Sequence, residues 1–499
     1  MELLISLTLL SSFLFLVYYL VIRDPRPKGL PPGPYPWPIL GNLLQLGDMP
    51  HAKLATLART YGDLFTLKLG AQTVVVASSP AAAAEVLKTH DRLFSGRYVF
   101  QTFRIKNHVE YSMVWSECND YWKMLRRVCR TQIFSPKMIE AQAHLREAKV
   151  MNMVRFLGRK EFEGGGAVKI AEVIFGTLFN IFGNLILSKD VFDLEDPGSG
   201  KEEMKGLIWR LMELGNTTNP ADYFPVLGDT DFLGQRKAVA DVLKQIHDIW
   251  TVILRERRER RTKLMQGSDD DEDFVSVLLD ADLDDHQINA LLMEMFGAGT
   301  ETSASTIEWA LAELIKNPEI TSRLRAELDD VVGPDPIKED HIPRLPFLNA
   351  CVRETLRLHP PTPLLLPHRA LDTCQLMGYT IPKDCQIMVN AWAIGRDPAT
   401  WRDPLSFSPE RFLNSDVDYK GSHFELIPFG AGRRICPGLP LANQFIHLIV
   451  ASLVHHFDWG LQGGAHPSSL VMEEKFGLTL QKDPPLFLVP KTRHQQTCK

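Results

Sequence analysis

The sequence predicts a predominantly α-helical protein with a minor β component, built as one large domain behind an apolar N-terminal segment. Helical patterns dominate from about Cys118 to Lys316, and no internal repeat or long Pro/Ser/Gly linker divides them. One stretch alternates and is β-branched instead: YGDLFTLKLGAQTVVVAS, Tyr61 to Ser78, which reads as a hairpin turning at Gly70. At the start of the chain, Leu3 to Ile22 runs without a charge for about the 20 residues that a helix needs to cross a bilayer. With 499 residues, 45% of them hydrophobic, the chain can bury a large core. Its formal charge of −6 argues against a nucleic-acid partner.

Taken in order, residues 1–22 are expected to form a transmembrane anchor. Glu2 precedes the apolar run and Arg23, Arg26 and Lys28 follow it, a charge order that places the bulk of the chain on the cytosolic side and does not suit a cleaved signal peptide. Residues 23–42 contain PKGLPPGPYPWPILGN, where fixed proline dihedrals and missing amide donors forbid a helix and favour a stiff spacer. Residues 43–499 are then the folded domain. Within it, RERRERRTK (Arg255 to Lys263) reads as the solvated end of a helix and GSDDDED (Gly267 to Asp273) as the loop after it.

Two stretches mimic nucleotide motifs and fail them. PGSGKE at Pro197 has Glu195 where the first glycine of a phosphate loop belongs and Glu202 where its hydroxyl residue belongs. GAGTET at Gly297 lacks the third glycine of a dinucleotide turn and follows no strand. The seven cysteines include no CxxC pair and leave an odd one over, so neither a disulfide framework nor a four-cysteine zinc site is indicated.

One cysteine stands out. Residues 428–438 read PFGAGRRICPG, in which Phe429, Gly432, Arg434, Cys436 and Gly438 form FxxGxRxCxG. The chance occurrence of that pattern in a chain this long is on the order of one in ten thousand. Its glycines let the backbone approach a flat ligand closely. Such a turn presents backbone amides to the cysteine sulfur, stabilising a thiolate that can ligate iron. Arg434 is placed to neutralise a carboxylate on the same ligand. A helical pattern restarts just beyond, at LPLANQFIHLIVASLVHHF, so a helix N-terminus also favours the anionic sulfur.

This loop resembles the heme-binding loop of the cytochromes P450, the heme-thiolate monooxygenases, and the resemblance extends over almost the whole chain. AGTETS (Ala298 to Ser303) resembles the family's oxygen-activation segment, ETLR (Glu354 to Arg357) its ExxR pair, and PERF (Pro409 to Phe412) the partner of that pair. The hinge, the anchor and the wording of the motifs resemble the plant microsomal type in particular. The resemblance implies a P450 fold binding heme b, with Cys436 as the iron ligand. It implies that Thr302 and Glu301 serve proton delivery, and that Arg97, Trp122, Arg126, His368 and Arg434 contact the heme propionates, with Arg369 a further neighbour. Glu354, Arg357 and Arg411 are implied to be a buried network that retains fold and heme.

No reductase, nicotinamide or flavin segment is visible, so electrons are expected from a membrane-bound NADPH-cytochrome reductase at the endoplasmic reticulum membrane, the catalytic domain facing the cytosol. By family position the substrate pocket is drawn from Ser95 to Trp115, the neighbourhood of Glu213, Phe296 to Thr302, Thr362 to Leu366 and Phe476 to Thr479. Phe100, Phe103, Phe296, Leu364, Leu365 and Phe476 are its expected apolar wall. Stretches such as LLLPHRALDTCQLMGYTIPKDCQIMVNAWAIGRDP resemble plant enzymes of benzylisoquinoline alkaloid metabolism, a group with both aromatic hydroxylases and phenol-coupling enzymes. A benzylisoquinoline is cationic near neutral pH, and Glu213 is the acid expected to face its ammonium. A monoterpenoid substrate, and a non-catalytic heme sensor or carrier, remain as alternatives; the latter would have no use for the Ala298 to Ser303 segment.

Overall fold

A computed structural model describes residues 29–493, apart from 163, 165, 196–202, 229, 265–272 and 282, together with Thr8, Ser11 and Ser12. The expected anchor therefore lies outside the described residues except for those three. The principal helices are α1 (Pro50–Tyr61), α2 (Asp120–Gln132), α3 (Ala143–Phe162), α4 (Ile170–Leu187), α5 (Glu203–Gly215), α6 (Gln235–Leu264), α7 (Asp285–Lys316), α8 (Pro318–Val332), α9 (Pro346–Leu358) and α10 (Leu439–His456). Five strands make the larger sheet: β1 (Leu64–Leu69), β2 (Gln72–Ala77), β3 (Gly96–Arg97), β4 (His368–Arg369) and β5 (Gln386–Val389), in the order β1-β2-β5-β4-β3. The predicted helical fold with minor sheet is what the described residues form.

The expected hairpin forms. Leu64 pairs with Ala77 and Leu69 with Gln72, and the chain turns at Gly70 with φ +58°. That dihedral favours glycine, and a side chain there would also meet the Tyr223 carbonyl oxygen at 2.4 Å. β2 runs parallel to β5, so the hairpin is continued into the domain by a strand from the C-terminal half. The described part of the hinge is not a free spacer. It lies along β1, with the Thr66 amide donating to the Pro32 carbonyl at 2.8 Å and the Lys68 amide donating to the Asn42 side chain at 2.8 Å. Gly33 permits this approach, because a Cβ there would sit 1.9 Å from the Thr66 carbonyl oxygen.

α7 is the central rod. It opens with a capping box between Asp284 and Gln287 and stops where Asn317-Pro318 removes the next amide donor. Helices α4, α6, α9 and α10 pack around it. α4 is the one described helix long and apolar enough to cross a membrane, yet 83% of that apolar window is buried inside the protein, so it is a core element. At the α4–α7 contact a Cβ on Gly299 would fall 2.3 Å from the Phe182 ring. α7 runs unbroken through Gly299, whose missing side chain makes room for Phe182. The basic end of α6 is solvated as expected, with Arg255, Glu256, Arg258, Glu259 and Arg260 exposed. Arg258 pairs with Asp285, and Arg257 with Asp273, which caps the next helix.

Candidate active site

The loop 428–438 is held from three sides. The Cys436 amide donates to the Phe429 carbonyl at 2.9 Å, closing the turn. Gly432 has φ +65°, and a Cβ there would lie 1.8 Å from the Leu87 carbonyl oxygen, so the backbone can press against the segment before β3 only as glycine. α10 begins at Leu439, directing its N-terminus at the sulfur. Burial pushes the Cys436 thiol up, while the amides of Gly438 and Leu439 and the Arg126 guanidinium favour the thiolate.

Behind the loop, Arg357 binds Glu354 in a fork, Nε to one carboxylate oxygen and Nη2 to the other, both at 2.7 Å. Its Nη1 donates to the carbonyls of Gly395 (2.5 Å) and Pro404 (2.7 Å), and Arg411 Nε adds a bond to Glu354 at 2.9 Å. Glu354 and Arg357 are fully buried, so the i,i+3 pair on α9 is an interior network and not a surface ion pair.

Above the Cys436 sulfur lies a cavity of about 340 Å³. Among its lining residues are Cys436, Thr302, Arg97, Arg126, Arg434, Trp122 and His368, so seven of the eight expected site residues meet there. The eighth, Glu301, does not. It is next to Thr302 on α7, hence about 100° around the helix, and its carboxylate turns to the strand Gln481–Asp483, where Gln481 donates to it at 2.8 Å. Its other oxygen is buried without a partner, and burial raises its pKa to about 7.

The cations around the sulfur match a flat dianionic ligand. Arg97 gives Nη1 to the Leu366 carbonyl (2.9 Å) and Arg434 gives Nε to the Ser95 carbonyl (2.9 Å), but Arg97 Nε and Arg434 Nη1 are buried with no acceptor. Burial and the neighbouring Arg434 push the Arg97 guanidinium down to about 9; burial also lowers Arg126 and Arg434. Unpaired, mutually repelling guanidiniums are what two propionates would satisfy. Cys436, the glycine cradle and these donors therefore fit heme b.

Trp122 enters differently from expectation. Its indole N–H donates to the Met113 carbonyl at 3.0 Å, and its ring lies between Arg126 and Arg434, 5.2 and 5.0 Å from their guanidinium carbons. It thus sets the spacing of the arginines. His368 Nδ1 lies 2.7 Å from the Phe94 carbonyl, which assigns the proton to Nδ1, and burial pushes its pKa down to about 3. A bond from its Nε2 to a carboxylate would need the imidazolium, which a buried anion favours. Arg369 is engaged elsewhere, paired with Glu117 and Asp384.

Every segment expected in the pocket contributes to the lining, but not always through the expected side chain. Phe103 and Leu365 line it; Phe100, Leu364 and Phe476 do not, and Phe476 stacks on His51 with ring centres 5.4 Å apart. Phe296 points into the core against Phe179, Trp250 and Phe182. Glu213 is on the exposed side of α5 and is not a lining residue. The acid in the wall is Glu294. It is buried, accepts the Ser112 hydroxyl and the amides of Met113 (2.8 Å) and Val114 (3.4 Å), and burial raises its pKa to about 7. A helical stripe could have revealed it, since Glu294, Ala298, Thr302 and Thr306 recur every four residues along one face of α7 and all line the cavity.

Comparison with known proteins agrees with this geometry. The family model for cytochrome P450 matches residues 31–489. The chain is 66% identical to the probable (S)-N-methylcoclaurine 3'-hydroxylase isozyme 2 of Coptis japonica over 98% of this chain and 99% of that protein. It is equally 66% identical to (S)-N-methylcoclaurine 3'-hydroxylase isozyme 1 of Papaver somniferum, over 95% and 98%, and 48% identical to the corytuberine synthase of Coptis japonica, over 98% and 99%. A thiolate loop, a cradle suited to heme and a match along nearly the full length place the chain in the cytochrome P450 family of heme-binding monooxygenases.

Proposed function

We propose that the protein hydroxylates a phenol-bearing ring of a benzylisoquinoline alkaloid, N-methylcoclaurine or a near relative, using dioxygen and electrons from NADPH. The observation that carries this reading is the 66% identity, sustained over the whole chain, to two N-methylcoclaurine hydroxylases, against 48% to a coupling enzyme. The cavity supports it, being walled by Phe103, Met113, Trp115, Ile208 and Leu365, an apolar and aromatic lining suited to a multi-ring ligand. A heme held by Cys436 supplies dioxygen activation, fed one electron at a time by a partner reductase. With purified enzyme and reductase, N-methylcoclaurine should gain one oxygen by mass. Loss of two hydrogens would mark coupling, and turnover of a monoterpenoid alcohol in its place would end the alkaloid reading.

The chain's own residues divide the remaining work. Arg97, Arg126 and Arg434 orient the propionates, Trp122 spaces the arginines, and the apolar wall excludes water. Thr302 is the hydroxyl we assign to proton delivery; it donates to the Ala298 carbonyl at 2.8 Å and keeps its lone pairs towards the cavity. Glu301 has the right acidity for a relay but sits behind Thr302, so a role for it runs through the Gln481 side of α7. Thr302→Ala should retain heme and lower product formed per NADPH consumed by about tenfold or more, the range of a lost general acid. Unchanged coupling would leave Thr302 a structural residue.

We also infer that residues 1–22 anchor the protein in the endoplasmic reticulum membrane, where a membrane-bound NADPH-cytochrome reductase meets the cytosolic domain. The uncharged run from Leu3 to Ile22 supports this. Deleting residues 1–22 should shift the protein out of the membrane fraction while leaving its heme content near that of the full chain. Loss of heme on deletion would contradict an anchor separate from the domain.

A further inference from the structure

We propose that Glu294 is the anion that seats the ligand's ammonium group, so that this residue selects cationic amines over neutral compounds of the same shape. The inference rests on the alkaloid reading above and names the recognition element within it.

The cavity is electrically lopsided. Its lining holds three arginines and a single carboxylate, Glu294. The arginines converge on the loop that carries Cys436 and have the propionates as partners. Glu294 has no ion-pair partner among the described residues; its hydrogen-bond donors are the neutral Ser112 hydroxyl and the amides of Met113 and Val114. His108, also in the lining, is no counter-charge, because burial pushes its pKa down to about 4. A carboxylate beside an apolar space without a cation is costly, which is why burial holds Glu294 partly protonated near neutral pH; a cation arriving with the ligand would favour the ionised form. Three accepted bonds leave room among the roughly four lone-pair directions of a carboxylate for one more donor.

Position agrees with charge. Glu294 and Thr302 share one face of α7, separated by about 12 Å along the helix axis at about 1.5 Å per residue. A two-ring amine whose aryl arm lies beside Thr302 can extend its nitrogen towards Glu294. Trp115 and Phe103, stacked with ring centres 5.7 Å apart, stand in the same wall and offer π-faces to a cation. Ser112 and its neighbours therefore hold the carboxylate in a fixed position while the carboxylate holds the loop.

The competing role, a clamp for residues 112–114 and nothing more, is separated by a matched ligand pair. Full-length heme-loaded enzyme is titrated with N-methylcoclaurine and with the N-acetyl amide of coclaurine, which keeps both rings and carries no charge, and the ligand-induced change in heme absorption gives each affinity. Glu294→Gln is nearly isosteric and can still accept from the loop. It should weaken the amine roughly tenfold or more while changing the amide less than about twofold, the scale of a lost charged hydrogen bond. Ser112→Ala, which slackens the loop and leaves the charge, should move both ligands alike. Equal losses for both ligands in Glu294→Gln, or a wild type that binds the amine no tighter than the amide, overturns the proposal. If Glu294→Gln takes up no heme, Glu294→Asp must keep the preference for the amine, and its loss overturns the proposal equally. A wild type that binds neither ligand, with a monoterpenoid alcohol bound in their place, refutes the alkaloid reading itself, and this inference with it.

Discussion

Cys436→Ala should abolish the absorption band that marks thiolate ligation in the reduced carbon-monoxide complex, and with it all turnover. The sulfur has no substitute within the loop, because neighbouring Ile435 and Pro437 offer no donor, and the other buried thiols among the described residues, Cys129, Cys351 and Cys385, are outside the cavity lining. The loop itself should survive, since its closure depends on the Cys436 amide and on Gly432 against Leu87, neither of which the substitution touches. Protein that is folded by circular dichroism yet lacks the band is the expected outcome. A mutant with the band intact would require a different iron ligand and would dismantle the site described above.

The second large effect lies behind the loop. Arg357→Ala should destabilise the domain by about 3–5 kcal/mol, the range for breaking a buried ion pair from one side, because Glu354 would keep only Arg411 and a backbone amide. The carbonyl groups of Gly395 and Pro404 would lose their donor at the same time, and that of Ser406 would keep only a long bond from Arg411. Arg357→Lys should rescue little, since an ammonium cannot make the fork with Glu354 and reach those carbonyls together. Heme bound per protein and the thermal midpoint report the effect. Both at wild-type values in Arg357→Ala would make the network incidental to heme retention.

What the sequence reveals and what it hides follow from the range of the forces involved. The β1–β2 hairpin is legible because alternation and Gly70 are local, and the thiolate loop because an improbable set of residues is packed into eleven positions. The α9 pair is legible as a pair, but its burial is a property of the tertiary fold. Orientation is where local reading fails. α7 is buried on all sides, so apolarity does not say which face meets the cavity, and Phe296 turns to the core while Met293 lines the wall. Glu301 and Thr302 stand about 100° apart around the helix, and the tertiary fold decides that Glu301 falls on the Gln481 side while Thr302 meets the cavity. Glu213 interrupts an apolar stretch, and that interruption is simply the solvent side of α5. Glu294 is hidden in the sequence because its stripe partners, Ala298 and Thr302, belong to a motif that begins four residues later.

The hydroxyl groups of α7 give the cavity wall a definite chemical polarity. Thr302, Ser303 and Thr306 all line it, and each donates its hydrogen to the carbonyl four residues earlier, at 2.8, 2.8 and 2.9 Å. What remains on those oxygens is lone pairs. With the hydroxyls held in this way the wall receives hydrogen bonds, and it gives one only where a hydroxyl, Thr302 for proton delivery, turns from its carbonyl. A phenol laid against it is solvated through its O–H, whereas the same ring methylated at that oxygen meets only acceptors. A ligand carrying both kinds of ring oxygen would meet this face unequally, its phenol with a partner and its methyl ether without one.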